Sequence, residues 1–184
     1  NKKFFVNTTL ALRTDDALLD MIAAAGVRNF YCTMNVDPAS IRALQGGRKE
    51  QQLLCDLVKR LEDRDIRFFG SFAIGREWDD ESIADRILEL YVKANIRTSE
   101  FFLFTPYPGS VLWDRLDSQD RIFDKNWNHY NGAHVVATHP TLSVEQLHGQ
   151  FIKVWKEFFK LQKEKHVAYL EPSTYQAGER VVGK

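Results

Sequence analysis

IRFFGSFAIGREWDDESIADRILELYVKANIRTSEFFLFT, residues 66–105, holds one complete turn of the pattern that decides the fold. Ile66 to Ile74 is an apolar, aromatic run of strand length, closed by Gly75. Asp79, Asp80 and Glu81 follow, and their negative charge suits the N-terminus of a helix. Ile83, Ile87, Leu90, Tyr91 and Ala94 recur at helical spacing, which predicts an amphipathic helix running out near Asn95. Glu100 to Thr105 is then a second strand. Two apolar strands joined through one helix read as a parallel βαβ unit.

The same alternation extends towards the N-terminus. Lys3 to Thr9 is a short β-rich run, and Thr14, Asp15 and Asp16 offer capping side chains to a helix carrying Leu18, Leu19, Ile22 and Ala23 that Gly26 stops. Asn29 to Met34 reads as a buried strand. A polar stretch with Pro38 and the pair Gly46-Gly47 comes next, lacking the Lys-Ser/Thr of a phosphate loop. Leu53, Leu54, Leu57, Val58 and Leu61 then predict a helix from Glu50 to Arg64. Four strands alternating with three helices make this an α/β chain, with an open, parallel sheet in chain order and the helices on its convex side.

Beyond Thr105 the pattern changes. Pro106-Tyr107-Pro108-Gly109 is a turn cluster, followed by a short helix with Leu112, Trp113 and Leu116. Residues 117–142 carry Trp127, Tyr130 and His134 without clear periodicity and read as an ordered excursion across the end of the sheet. Ser143-x-x-Gln146 is a capping box that opens a long helix striped with Leu147, Phe151, Val154, Trp155, Phe158 and Phe159. The expected organisation is a β/α unit over 1–116, an extension with the long helix over 117–170, and a frayed tail over 171–184.

Composition narrows the function. The 184 residues are 44% hydrophobic and 27% charged, the balance of one folded domain. Lys plus Arg and Asp plus Glu number 25 each, so no charge bias points to nucleic acid, and no apolar run is long enough for a membrane span. Cys32 and Cys55 are too few for a disulfide framework and too far apart for a metal knuckle; they read as core residues of a reduced, cytoplasmic protein. His129, His134 and His139 recur every five residues without accompanying Asp or Cys ligands, so no metal site is expected. No Ser-His-Asp order with a nucleophile elbow is present, and no catalytic residue is assigned.

Three stretches carry a resemblance. Thr105-Pro106-Tyr107-Pro108-Gly109-Ser110-x-Leu112-Trp113-Asp114-Arg115-Leu116 is similar to the T-P-F-P-G-T-x-L-Y-x-x-L segment after the sixth strand of radical S-adenosylmethionine (SAM) barrels. Gly70-Ser71-Phe72-Ala73-Ile74-Gly75 resembles their fifth-strand G-x-F-x-x-G segment. Trp127-x-x-Tyr130-x-Gly132-x-His134-Val135-Val136 resembles the W-x-x-Y-x-G-x-H-x-V segment that follows the barrel in the subgroup paired with a cobalamin-binding domain. The resemblance covers roughly residues 4–160, in matching order.

That resemblance implies a partial TIM-like barrel: the C-terminal four parallel strands of a six-unit β/α barrel, followed by a long helix. It implies a parent enzyme, a radical SAM iron-sulfur oxidoreductase or methyltransferase, that cleaves SAM reductively at a [4Fe-4S] cluster. The cluster's C-x-x-x-C-x-x-C motif is not among these residues, so the chain alone is expected to be inactive, with the cluster, and cobalamin where the parent uses it, bound elsewhere in the parent. The implied SAM cradle is Gly70, Phe72, Ile74 and Gly75, then Phe104, Thr105 and Pro106, with Asn35 towards the ribose. Two departures stand out: Thr33-Met34-Asn35-Val36 where many relatives carry G-I-E-S, and Arg76 and Trp78 after Gly75. The substrate is not legible. The expected partner is the N-terminal half of the same barrel, or another copy of the chain through exposed strand edges. The other function class is a non-catalytic α/β binding or assembly scaffold with a decayed SAM pocket.

Overall fold

A computed structural model describes residues 2–8, 15–34 and 48–169, without the side chains of 48–51, 53 and 164–169. Thr14, Asn35, Pro38, the Gly46-Gly47 pair, Leu53 as a packing residue and the tail 171–184 lie outside what it describes.

Four strands, β1 (Phe4–Thr8), β2 (Val27–Met34), β3 (Arg67–Ile74) and β4 (Thr98–Leu103), form one sheet in the order β1-β2-β3-β4, every neighbouring pair parallel. Helices α1 (Asp16–Ala24), α2 (Arg48–Glu62) and α3 (Ile83–Lys93) connect them. A short α4 (Val111–Ser118), a 3₁₀ turn at Trp127–His129 and the long α5 (Val144–Tyr169) complete the fold. This is the open parallel α/β architecture that the periodicities predict.

The turns explain the short connections. Asp65 (φ 56°) and Asn95 (φ 51°) both adopt the left-handed conformation just past a helix. Ile66 and Ile96 donate back to Leu61 O and Tyr91 O, while Asp65 and Asn95 donate to Glu62 O and Val92 O. These are Schellman ends, with each buried isoleucine serving as both the helix's closing contact and the doorway to the next strand. At the end of α1, Gly26 (φ 95°) has no room for a Cβ, which would meet Lys2 O at 2.6 Å. The chain is already in β2 at Val27, two residues ahead of the sequence expectation.

Alternation and register give the sheet two unlike faces. Phe30 pairs with Phe68, Cys32 with Gly70, Met34 with Phe72, Phe72 with Phe101 and Ile74 with Leu103, so these residues share one face. All except Gly70 belong to one core cluster with Leu19 of α1, Leu57 and Leu61 of α2, Ile87 and Tyr91 of α3, and Val154 and Phe158 of α5. The opposite face carries Tyr31, Phe69, Ser71, Glu100 and Phe102, none of them in that cluster.

Helix α5 opens with the expected capping box: Ser143 Oγ accepts from Gln146 N (3.2 Å) and Gln146 Oε1 accepts from Ser143 N (2.8 Å). Its glutamines tie it to α3. Gln150 Oε1 accepts from Ala84 N, capping α3, and Gln162 Nε2 donates to Tyr91 Oη. Its apolar stripe is narrower than expected: Leu147, Val154 and Phe158 are buried, but Phe159 is 56% exposed. Residues 119–142 form a folded-back excursion, bridged at Ile122 and Ala137 and tied to the sheet by Leu103 N donating to Gly132 O (2.6 Å).

Candidate functional site

The C-terminal ends of β3 and β4 converge, and Phe104 N donates to Ile74 O at 2.7 Å, extending the ladder one step past both strands. Ile74, Gly75, Phe104 and Pro106 line one cleft there, closed by Val135, Ala137, His139 and Leu147. Four residues assigned to the cradle from sequence thus share one site. The cleft is small, with a volume of about 30 Å³. Thr105 lies beside it, buried, its hydroxyl donating to Leu103 O.

Gly70 and Phe72 do not reach the cleft. They belong to the helix-covered side, where Phe72 is fully buried and stacks on Phe101 at 5.8 Å. A Cβ on Gly70 would lie 2.9 Å from the Phe72 ring, so that glycine is required by the core. Gly75 (φ 98°) needs glycine for its backbone conformation, and a Cβ there would meet Leu147 at 3.3 Å. Asn35 lies outside the described residues.

The Gly75 turn is organised by Asp79 rather than by a ligand. Asp79, 3% exposed, accepts from Gly75 N (2.8 Å) and Arg76 N (2.9 Å) through the same carboxylate oxygen. Burial pushes its pKa up, against the pull of the two N–H donors and of Arg86 and Arg76. Sequence reasoning placed Asp79, Asp80 and Glu81 together at the start of α3. Only Asp80 serves there, accepting from Ser82 Oγ and Ser82 N and pairing with Arg86; the Ser82 hydroxyl first, then the Ser82 N–H and Arg86, hold its carboxyl below the usual range. Asp79 turns back to the strand end, and Glu81 accepts from Gln146 of α5.

Arg76 and Trp78, the two departures after Gly75, pack beside Phe104. The Arg76 guanidinium carbon lies 5.7 Å from the Phe104 ring centre and 5.8 Å from that of Trp78, cation–π range for both. On the wall of the cleft, Glu77 bridges Arg121 and Arg115, each at 2.7 Å, and those bonds hold its carboxyl below the ordinary range. His139 Nδ1 accepts from Leu142 N at 3.0 Å, so its other nitrogen carries the proton donated to Arg76 O at 2.6 Å. His129 and His134 stack at 4.6 Å, bonded to Asp124 and Asn131 respectively, far from such a role.

A [4Fe-4S] cluster does not fit the thiols. Cys32 is 1% exposed on the helix-covered face, where burial pushes its pKa to about 11. Cys55 lies on α2 and donates to Lys93 O. Neither side chain reaches the cleft.

Sequence reasoning missed a polar cluster on the open face. Tyr31 Oη donates to Glu100 Oε1 (2.5 Å), and Ser71 Oγ donates to the same oxygen (2.8 Å). The Tyr31 ring also packs with those of Phe5 and Phe69, the ring centres 5.5 to 6.1 Å apart. Burial and the Glu100 bond raise the Tyr31 pKa, keeping it a phenol donor. The signal was present: Tyr31, Ser71 and Glu100 occupy alternate positions in strands read as unbroken apolar runs.

No family model matches the chain. It is 20% identical over 158 residues to an uncharacterized methyltransferase of Synechocystis (85% of this chain, 30% of that protein). It is 25% identical over 126 residues to the bacteriochlorophyllide d C-12(1)-methyltransferase of Chlorobaculum tepidum (68% and 27%). A third relative, an uncharacterized methyltransferase of Pyrococcus horikoshii, is 22% identical over 175 residues (86% and 38%). The chain spans about a third of the length of these curated relatives. Its fold is like that of the radical SAM methyltransferase TsrM of Kitasatospora setae, solved with cobalamin and a [4Fe-4S] cluster, with a TM-score of 0.59 at 15% identity over 84% of this chain and 35% of that one. Among the described residues, no helix is long and apolar enough to cross a membrane.

Proposed function

We propose that these residues form the C-terminal part of the catalytic barrel of a radical SAM methyltransferase, with SAM seated at the ends of β3 and β4. The observation that carries the reading is convergence. The three stretches of the resemblance are far apart in the chain yet meet at one end of the sheet: Trp113 stacks on Trp127 at 6.1 Å, Gly132 accepts from Leu103 N, and Val135 lines the cleft beside Ile74 and Gly75. The methyltransferase relatives and the TsrM-like fold support it further.

In this reading SAM supplies the methyl group and, at a cluster held by the rest of the parent, the radical chemistry. The residues here contribute apolar surface: Ile74, Phe104 and Pro106. Several backbone groups at the strand ends are already engaged, Gly75 N and Arg76 N by Asp79 and Ile74 O by Phe104 N. Adenine therefore binds by displacing Arg76 from the Phe104 ring. One feature favours the second reading, a non-catalytic scaffold: the cleft is small and the N–H groups of Gly75, Arg76 and Phe104 are already bonded.

The parent protein discriminates the two. Reconstituted anaerobically with iron and sulfide, it should bind about four irons per cluster, cleave SAM and transfer label from methyl-labelled SAM. A parent that binds no cluster, or binds one without consuming SAM, overturns the methyltransferase reading.

A further inference from the structure

The open face holds a carboxylate whose surroundings are half finished. Both protein donors, Tyr31 Oη and Ser71 Oγ, converge on Glu100 Oε1. No donor among the described residues reaches Oε2, and no Lys, Arg or His among them pairs with Glu100. The two hydroxyls orient the carboxylate without cancelling its charge. Arg67, the basic residue on the same face of β3, stands four residues before Ser71, about 13 Å along the strand. Ser71 is completely buried, so the Oε1 side is a built and rigid arrangement.

Through Tyr31 this charge joins a cluster of three aromatic rings. Tyr31 and Phe69 stack at 5.5 Å with 22° between their planes, and Phe5, 57% exposed, leans on both. Ring faces attract cations and a carboxylate completes the attraction, whereas an unpaired charge among rings is costly to keep. From this juxtaposition we propose that the open face binds an organic cation, a ligand whose protonated nitrogen seats on Glu100 Oε2 while its body lies against the rings of Phe5, Tyr31 and Phe69. Neutral polar ligands of the same shape lack the charge that the site is built to answer.

The probe is benzamidinium, a planar cation, titrated into the full 184-residue chain against neutral benzamide, with the ring resonances of Tyr31 and Phe69 followed by NMR. Benzamidinium should produce saturable shifts at those two rings, and benzamide should bind at least about tenfold more weakly, the equivalent of about 1.4 kcal/mol. Glu100→Gln keeps an oxygen for both hydroxyls and should erase the cation preference; Tyr31→Phe, which keeps ring and carboxylate, should retain it. Equal binding of the two probes to the wild-type chain overturns the proposal without need of any variant. So does an undiminished preference in Glu100→Gln, or shifts confined to residues off the open face. Because neither SAM nor a cluster enters this measurement, its failure leaves the methyltransferase reading untouched.

Discussion

The two faces of the sheet are made from similar residues and reach different ends. On the helix-covered face Phe30, Phe68, Phe72 and Phe101 are at most 5% exposed, locked among four helices. On the open face Phe5 is 57% exposed, and the rings of Tyr31 and Phe69 gather about a carboxylate instead of a helix. Aromatic content alone therefore does not say which side of a parallel strand is core. The difference lies in what faces the strand: one side packs against four helices, and the residues of the other lie outside that core.

The contrast breaks most visibly at its two phenylalanines. Phe72→Ala removes a fully buried ring stacked on Phe101 and should cost about 3–5 kcal/mol of unfolding free energy, read by denaturant titration. Phe5→Ala should cost less than about 1 kcal/mol, because that ring is mostly in water already. Similar losses would mean that the open face is as much core as the other.

Asp79 sits at the rim where the two faces end. Replacing it by Ala strands two backbone N–H groups and should cost about 2–3 kcal/mol. Replacing it by Asn keeps one oxygen for both donors and removes the buried charge. Since the folded-state pKa is raised, the folded protein binds this proton more tightly than the unfolded chain does, and the ionised form costs stability. Asp79→Asn should therefore be stabilising above the folded pKa, with its advantage fading as pH falls through it. Stability curves against pH for the three proteins test this, and an Asn variant as damaged as the Ala variant would contradict it.

The smallest effect belongs to the open face's own polar centre. Ser71→Ala removes one donor from Glu100 and one contact of Tyr31, and should cost about 1 kcal/mol in the same denaturant measurement. A loss on the scale of Phe72→Ala would make the cluster a structural pillar rather than a surface prepared for a ligand.

Much of this was legible in the chain. The strand order follows from four apolar runs separated by amphipathic helices, and the start of α5 from Ser143-x-x-Gln146, because these signals are local. The cleft at the strand ends was partly legible. Ile74, Gly75, Phe104 and Pro106 do meet, since they end neighbouring strands, but Gly70 and Phe72 lie further back on β3, on the same face as Ile74, where the helices cover them. Asp79 was misread for a similar reason: an acidic cluster marks a helix start, yet only the turn geometry tells which carboxylate folds back. Tyr31, Ser71 and Glu100 come from three strands, and their meeting depends on register, which no single stretch encodes.

The ring of Phe101 is covered by Trp155 and Phe158 of α5, at 5.0 and 5.2 Å. During synthesis that cover arrives late. The ribosome must add roughly 50 further residues after β4 before those two side chains exist, which at 5–20 residues per second means several seconds. Until then the aromatic surface of β4 lacks its cover, so the nascent chain passes through a sticky stage whose end is set by the position of α5 in the gene.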